Sequence, residues 1–410
     1  MKHITKLRVH SGGATVGELG ADNRDRIYFQ YDAEWLKTGF DLSPGTLPFN
    51  HELQLSPEPQ EFSGLHGVFY DSLPDGWGLL LMDRAFREQA GWQNHEITPL
   101  DRLAYMGSRT MGALEYEPAM THQDNSETID IAQLAGSAHQ VLQGETPEVL
   151  QQLQIHGGSP GGARPKVTVA LSPDNEQCLS GFNRLPASYQ HWLVKFRANE
   201  DPLDMGRVEL AYARMAKLAG LALPECRLLQ VGQDTSKDEF FAVQRFDREG
   251  NIRQHVLSLS AYIYASHRVP CIDYETVIRA TYNITRSMAE AEKAFRLMVF
   301  NVLAHNKDDH SKNFAFIRRA HGWELSPVFD LTFNAGLNNQ HTTDIAGSGN
   351  PRLKDVKQVA ENCGIKNWQI IVEEVLTATG QWEGIARDGG VSDVEIGKIG
   401  RALGDIRGSF

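Results

Sequence analysis

The stretch that decides how this chain is interpreted reads His305-Asn306-Lys307-Asp308-Asp309-His310-Ser311-Lys312-Asn313-Phe314, and Ser326-Pro327-Val328-Phe329-Asp330 follows it. It comes directly after the most apolar run of the sequence, residues 294–304, which predicts a buried helix. Asn313 stands five positions after Asp308, and Asp330 follows a short segment with the pattern of strands. Such a set of carboxylate and amide oxygens is typical of a loop that holds hard cations.

The interval between Asp308 and Asn313 is that of the protein-kinase loop H-R-D-x-x-x-x-N. In that loop the aspartate orients the attacking hydroxyl and the asparagine holds Mg²⁺, and a later aspartate also holds Mg²⁺. Asp308 and Asp309 therefore compete for the catalytic role, and the interval favours Asp308. Asn313 and Asp330 are the predicted Mg²⁺ ligands. The spacing predicts phosphoryl transfer with ATP and Mg²⁺ as cofactors.

Two other residues of the loop, His310 and Lys312, are predicted to fix the loop or to face the phosphates. A metal-hydrolase site would instead use His305, Asp308, Asp309 and His310 as ligands. The chain lacks H-E-x-x-H and a second histidine pair at a useful interval, which argues against this alternative. A plain polar loop is the other alternative, and it leaves charged side chains beside an apolar helix without a purpose.

A glycine-rich segment upstream reads Gly157-Gly158-Ser159-Pro160-Gly161-Gly162-Ala163-Arg164-Pro165-Lys166 and leads into a predicted strand at 166–171. Glycines let a loop lie close to phosphates and donate backbone N–H groups to their oxygens. The segment matches neither G-x-x-x-x-G-K-[ST] nor G-x-G-x-x-G, so a flexible turn before a strand is the alternative. Its position predicts that Ser159, Gly161, Gly162 and Ala163 lie against a nucleotide.

One lysine is flanked by apolar residues on a predicted strand, Trp192-Leu193-Val194-Lys195-Phe196. In a kinase such a lysine holds the α- and β-phosphates and pairs with a carboxylate on a helix. Glu209, in the helix predicted at 205–219, is the natural candidate for this pairing. The alternative is a surface lysine on an edge strand.

The segment Phe241-Ala242-Val243-Gln244-Arg245-Phe246-Asp247-Arg248 ends the predicted sheet. In a kinase-like layout Gln244, Arg245 and Phe246 occupy the crossing between lobes, where the chain contacts adenine. Asp247 is predicted to reach a ribose or a structural arginine. The alternative is the end of a strand with a surface salt bridge.

The composition of the chain excludes several classes of protein. The chain has 410 residues and a formal net charge of −12, which argues against unaided binding of nucleic acid. Its 4 cysteines form no C-x-x-C pair, so neither a zinc site nor a disulfide framework is expected. No signal peptide and no apolar run of about 18 residues is visible, which predicts a cytoplasmic protein without a membrane span.

The order of the predicted elements indicates an α+β fold with a mixed α/β N-terminal part and a mostly α-helical C-terminal lobe. We divide the chain into a β-rich part at 1–120, a part with the glycine-rich loop and the strand lysine at 121–250, and a helical lobe at 251–410. Helices are predicted at 75–89, 99–106, 129–143, 147–154 and 205–219, and then at 273–281, 287–304, 354–363, 366–379 and 391–403. Strands are predicted at 166–171, 190–196, 227–231 and 240–246. This order suits a nucleotide bound in a cleft between lobes.

These segments together resemble the HipA family, the kinase toxins of bacterial toxin–antitoxin pairs. The resemblance covers nearly the whole chain. It rests on residues 16–19, 69–76 and 107–114 in the N-terminal third, and on 159–166, 193–196, 245–248, 306–314 and 328–330 in the core.

The resemblance implies a two-lobed protein-kinase-like fold and ATP-dependent phosphorylation of serine or threonine. It makes Asp308 the catalytic aspartate, Asn313 and Asp330 the Mg²⁺ ligands, and Lys195 the phosphate lysine. It places Gln244 and Phe246 against adenine. It also makes Ser159 the site of an inactivating autophosphorylation, which adds roughly −2 charge beside the ATP phosphates.

The chain departs from the family in two places. Its loop reads Ser-Pro-Gly-Gly-Ala-Arg-Pro-Lys, without the glutamine of the best-known members. Gln244 stands where an acidic residue is familiar. The first departure bears on autophosphorylation at Ser159, because Pro160 stiffens the start of the loop.

The resemblance also implies partners. The DNA-binding antitoxin of the family is a separate chain, expected to be a small helix-turn-helix protein, and DNA is contacted only through it. The expected substrate is a cytoplasmic protein of translation, with aminoacyl-tRNA synthetases as the class suggested by analogy. Two alternatives stay open: a catalytically weak corepressor that works by binding the antitoxin, and a kinase of small molecules.

Overall fold

The computed structural model describes residues 2–57, 61–120, 128–144, 150–157, 162–182, 184–230 and 239–410. The chain folds into two compact units. Unit 1 is Met1–Asp201 with Leu229–Leu257, and unit 2 is Pro202–Leu228 with Ser258–Phe410. The division of the chain at residues 120 and 250 stays a prediction.

A small antiparallel sheet opens unit 1. Its strands lie in the order β4-β3-β2-β1-β5. Alternate residues of the strands point into the core, so that Leu7, Val9, Leu19 and Phe29 are fully buried. The strands are β1 (Lys6–Ser11), β2 (Ala14–Ala21), β3 (Ile27–Tyr31), β4 (Gln54–Leu55) and β5 (Leu114–Glu117).

The described residues of unit 1 contain six helices, which include the helices predicted at 75–89, 99–106 and 129–143 and the described part of the one predicted at 147–154, whose first three residues lie outside the described ranges. Helix α4 begins where a capping box predicts, because Thr98 and Asp101 exchange hydrogen bonds around Pro99. The helices are α1 (Trp35–Thr38), α2 (Gly67–Tyr70), α3 (Gly76–Ala90), α4 (Pro99–Met106), α5 (Ile131–Leu142) and α6 (Leu150–Gly157).

A second sheet carries the strands that the sequence predicts after the glycine-rich segment. Its order is β7-β6-β8-β10-β9, and β6 pairs with β8 and β8 with β10 in antiparallel register. Trp77 and Leu81 of α3 pack with Val167, Trp192 and Val194 in one apolar core. The strands are β6 (Lys166–Leu171), β7 (Cys178–Ser180), β8 (Gln190–Lys195), β9 (Cys226–Gln230) and β10 (Glu239–Gln244), and β11 (Arg248–Glu249), β12 (Ile252–Arg253) and β13 (His255–Ser258) follow.

Unit 2 is mostly helical, as predicted for the C-terminal half. Its helices are α7 (Met205–Leu218), α8 (Leu259–Ile263), α9 (Tyr274–Thr285), α10 (Met288–Leu303), α11 (Leu353–Cys363), α12 (Trp368–Thr379), α13 (Trp382–Asp388) and α14 (Asp393–Arg407). The hairpin of β14 (Ala315–Arg319) and β15 (Gly322–Leu325) interrupts them, and short 3-10 helices lie at Ser311–Asn313 and Leu337–Asn339.

Helix α13 is absent from the sequence prediction. It has only seven residues and contains Gly384, so its local signal is weak. A tertiary contact stabilises it instead, because the buried Trp382 donates its indole N–H to the carbonyl of Ile396, 3.1 Å away.

Helix α10 supports the loop that follows it. The Ser287 hydroxyl caps its first turn by accepting from the Glu290 N–H. Phe295 and Phe300 are fully buried, which explains the apolar run seen in the sequence. In the described part of the chain, no helix is both long and apolar enough to cross a membrane.

The buried ring of Phe300 provides a test of this core. We expect Phe300→Ala to lower the free energy of unfolding by about 3–5 kcal/mol, because the small side chain leaves a cavity. Urea denaturation measures the change. Val394→Ala on the exposed side of α14 is the control, and equal losses in the two variants would contradict the assigned core.

Candidate functional site

The loop from His305 to His310 lies between α10 and the first 3-10 helix of unit 2, and Asp308 is its exposed residue. The backbone carbonyl of Asp308 accepts a hydrogen bond from Asn313 Nδ2 at 2.7 Å. One of its carboxylate oxygens lies 3.4 Å from Asn334 Nδ2. Asp308 therefore presents a carboxylate to solvent from a loop that its own neighbours hold.

Asp309 has the opposite environment. Its side chain is fully buried and accepts hydrogen bonds from the Tyr274 hydroxyl and from His341 Nδ1, both at 2.8 Å. The backbone N–H groups of Thr342 and Thr343 also donate to it, at 2.8 and 3.2 Å. The two competing aspartates thus differ sharply in exposure, and the catalytic role of each stays a prediction.

Lys307 anchors the other side of the loop. Its buried ammonium donates to the carbonyl and the side-chain oxygen of Asn339 at 2.7 and 3.0 Å, and to Asn350 Oδ1 at 2.7 Å. Burial lowers the pKa of Lys307, although the carboxylate of Asp309 acts in the opposite direction. Sequence reasoning missed this anchor because its partners lie more than thirty residues away.

The predicted Mg²⁺ ligands fit a hard cation. Since the amide nitrogen of Asn313 is used on Asp308, its oxygen is the atom that remains for a metal. Asp330 has φ of 55°, a left-handed conformation that is uncommon for any residue but glycine and is often kept for function. The chemistry of both side chains suits Mg²⁺.

The metal-hydrolase alternative finds no support in this geometry. His305 Nδ1 lies 3.3 Å from the carbonyl of Asn334, and protein donors already occupy the Asp309 carboxylate. Within the described ranges, no group of three or more histidine, cysteine, aspartate or glutamate side chains could hold a metal ion.

In unit 1, Lys195 lies on β8, the central strand of the second sheet, and is 8% exposed. The alternative of a surface lysine on an edge strand is therefore wrong. Its ammonium lies 5.6 Å from the centre of the Phe241 ring. In the antiparallel register Lys195 stands directly opposite Lys166, which is also buried, so both side chains lie on one face of the sheet.

The position of Lys166 opposite Lys195 is a feature that only the fold reveals. Sequence reasoning did not name Lys166 as a site residue. The available signal was its place as the first residue of the strand after the glycine-rich segment, but only the strand register brings it opposite Lys195.

The end of the glycine-rich loop is held by the start of α3. The Gly162 N–H donates to the carboxylate of Asp75, and its carbonyl accepts from the Trp77 N–H at 3.1 Å. Gly162 has φ of 103°, and a Cβ built there would lie 2.5 Å from Lys166 Nζ. The positive φ therefore favours glycine at this position, which lies beside the Lys166 ammonium. Ala163 is exposed.

The other predicted site residues are Ser159, Gly161, Glu209, His310 and Lys312. Ser159 and Gly161 lie outside the described residues, so the structure says nothing about either. Glu209 lies on α7 and is buried, and its pairing with Lys195 stays a prediction. His310 and Lys312 are half-buried, and the His310 ring centre lies 5.8 Å from that of His267.

The segment predicted to contact adenine carries a buried ion-pair network. Asp247 is fully buried and accepts from Arg245 Nε at 2.9 Å, Arg248 Nη1 at 2.6 Å and the Gly112 N–H at 2.7 Å. Both guanidinium groups also donate to the carbonyl of Thr110. Asp247 thus reaches structural arginines, one of the two predicted partners, and the salt bridge is buried rather than at the surface.

The positions of the other residues of that segment do not test their predicted contact with adenine. Gln244 ends β10, where it pairs with Trp192, and Phe246 is half-buried. The chain passes from unit 1 to unit 2 later, after Leu257. Contact of Gln244, Arg245 or Phe246 with adenine stays a prediction.

The Asp247 network should be costly to break. We expect Asp247→Asn to lower the free energy of unfolding by about 3–5 kcal/mol near neutral pH, because two buried guanidinium groups lose their counter-charge. Urea denaturation measures this loss, with Glu249→Gln on the exposed side of β11 as the control. A loss no larger than the control's would contradict the network's role.

The same network predicts a pH dependence. Burial alone raises the pKa of Asp247, but Arg245 and Arg248 outweigh it and hold this pKa well below its usual range. The ion pairs of Asp247 with the two arginines therefore stabilise the fold at pH values above the usual carboxyl pKa. This stabilisation is lost as the pH falls through the lowered pKa of Asp247. The difference between wild type and Asp247→Asn should shrink in acid, and a constant difference would contradict this assignment.

Comparisons with known proteins find matches for both the N-terminal and the C-terminal part of the chain. The family model of the HipA-like C-terminal domain matches residues 158–382, and that of the HipA N-terminal domain matches residues 7–117. The serine/threonine-protein kinase toxin HipA of Shewanella oneidensis is 23% identical over 352 residues, which are 79% of this chain and 74% of that protein. Y4dM of Sinorhizobium fredii, which carries a provisional kinase name, is 26% identical over 192 residues, 42% of this chain and 46% of that protein.

A solved structure shows the same fold. It is that of the Shewanella oneidensis MR-1 toxin–antitoxin system, HipA with HipB and its operator DNA. The match has a TM-score of 0.71 at 17% identity and covers 98% of this chain and 96% of that chain. The α+β, two-lobed kinase-like fold expected from the sequence is confirmed.

Proposed function

Because this chain belongs to the HipA family, we propose that it is an ATP- and Mg²⁺-dependent serine/threonine protein kinase and the toxin of a toxin–antitoxin pair. The observation that carries the proposal is the exposed carboxylate of Asp308 beside Asn313, on a loop whose flanking residues are fixed. A kinase needs this combination, because most of its catalysis is positioning and charge stabilisation.

In this function Asp308 orients the serine or threonine hydroxyl and accepts its proton. The oxygens of Asn313 and Asp330 hold the metal. When bound, Mg²⁺ neutralises the phosphate charge that develops during transfer. Lys195 and Lys166 hold the phosphates of ATP through charge-assisted hydrogen bonds.

Autophosphorylation at Ser159 belongs to the proposal as a way to switch the kinase off. The described end of the same loop is tied to α3 through Asp75 and Trp77, and it lies against Lys166. A phosphate on this loop would compete with ATP for the lysine pair.

The proposed partners follow the family. The named relative assembles with HipB and operator DNA. We propose a separate helix-turn-helix antitoxin for this chain as well, with DNA contacted only through it, in agreement with the net charge of −12. The proposed substrate is a cytoplasmic protein of translation such as an aminoacyl-tRNA synthetase.

The first test separates nucleotide binding from transfer. We expect Asp308→Asn to bind Mg-ATP like wild type in calorimetry, but to transfer label from γ-labelled ATP at least about 100-fold more slowly, because the hydroxyl loses its base. The acceptors are the chain itself and a bacterial extract. Asp405→Asn on the exposed side of α14 is the matched control.

Three results would contradict the proposal. Label transfer that survives Asp308→Asn would remove Asp308 from the reaction. Wild-type protein that binds Mg-ATP without transferring label would remove the kinase function. Wild-type protein that does not bind Mg-ATP at all would support the corepressor alternative.

The lysine pair has its own test. We expect Lys166→Met to raise the Kd for Mg-ATP about tenfold or more, since a charge-assisted hydrogen bond to phosphate is lost. Calorimetry compares it with Lys357→Met on the exposed side of α11. An unchanged Kd in Lys166→Met would show that this lysine does not contact phosphate.

A further inference from the structure

Asp309 accepts the last bond of a buried hydrogen-bond chain that runs through Asn301 of α10. Asn306 Nδ2 donates to Asn301 Oδ1 at 2.9 Å, and Asn301 Nδ2 donates to the Tyr274 hydroxyl at 2.9 Å. Tyr274 in turn donates to Asp309 at 2.8 Å. Burial, and then the Asp309 charge, raise the pKa of Tyr274 well above its usual value, so its hydroxyl stays a donor.

The segment at residues 341–343 holds both neighbours of Asp308. The Thr342 N–H and hydroxyl donate to the carbonyl of Lys307, each at 3.1 Å. The Thr342 and Thr343 N–H groups donate to the Asp309 carboxylate, and the Thr343 hydroxyl donates to the Asp309 carbonyl. Asp308 is therefore the one exposed residue between two residues that the same segment binds.

These hydrogen bonds fix both the position of the loop and the orientation of Asp308 on it. A carboxylate that accepts from two backbone N–H groups, a hydroxyl and an imidazole cannot turn outward without losing all four hydrogen bonds. Because Asp308 shares a peptide unit with Asp309, rotation at Asp309 would redirect the Asp308 carboxylate. In phosphoryl transfer, a misplacement of about 1 Å can cost roughly 100-fold in rate.

We propose that Asp309 is a positioning residue for phosphoryl transfer, which holds Asp308 in its exposed orientation by binding Tyr274, His341 and the 341–343 segment. The proposal rests on the proposed kinase function. In this role Asp309 does not contact the substrate. It acts only by holding its neighbour, Asp308, which does.

The test measures the rate per nucleotide-binding site. Full-length protein is incubated with Mg²⁺ and γ-labelled ATP, with casein and the chain itself as acceptors, and calorimetry counts the sites that bind Mg-ATP. We expect Asp309→Asn to lower the maximal rate per site about 10- to 100-fold while the KM for ATP stays within about twofold of wild type. A purely structural role would reduce the number of sites and leave the rate per site unchanged.

Tyr274→Phe is the milder second variant, since it removes one hydroxyl and keeps the ring. We expect about a fivefold lower rate per site, the effect of one buried hydrogen bond. Tyr282→Phe, on the exposed side of the same helix, is the control and should match wild type. If Asp309→Asn does not fold, this pair of variants decides the question.

The outcomes separate the two proposals. Wild-type rates per site in both Asp309→Asn and Tyr274→Phe would overturn the positioning role and leave the kinase function standing. Absence of label transfer by wild-type protein would overturn the kinase function, and the positioning role with it. Reduced rates per site at unchanged KM in the two variants would support both.

Discussion

The hydrogen bonds that the 341–343 segment makes on either side of Asp308 are the constraint on which the candidate site depends. Lys307 and Asp309 are both buried, and each is bound by Thr342. Asp308, which lies between them, therefore faces solvent. Without this segment, the loop after α10 would be a polar connection with many accessible conformations, and its aspartate would have no defined direction.

A second constraint is the register of the second sheet in unit 1. The antiparallel pairing of β6 with β8 places Lys166 and Lys195 opposite each other, and both residues are buried. Gly162 lies against Lys166, and its φ of 103° is a conformation that favours glycine. Strand register and a glycine at positive φ thus bring the two lysines and the end of the glycine-rich loop close together in unit 1.

Much of the architecture could be predicted from the sequence because its signals are local. The apolar run of α10, the capping box of α4 and the strand pattern of β6 each involve residues that are close in sequence. The interval from Asp308 to Asn313 is equally local, and the structure shows its physical sense, since Asn313 bonds to the carbonyl of Asp308.

The remainder depends on partners that are distant in sequence. The inward turn of Asp309 follows from His341 and Tyr274, each more than thirty residues away. The facing of Lys166 and Lys195 follows from strand register. Helix α13 follows from the burial of Trp382. No pattern within a short window carries these contacts, so sequence reasoning could place the residues without showing which of them meet.

The central claim is that this chain transfers phosphoryl groups to proteins through Asp308. Quantitative mass spectrometry of phosphopeptides, taken from cells after brief induction of wild type or of Asp308→Gln, tests it most directly. The account predicts phosphoserine or phosphothreonine peptides that appear with wild type and are absent with Asp308→Gln. Identical phosphopeptides in the two samples would contradict it.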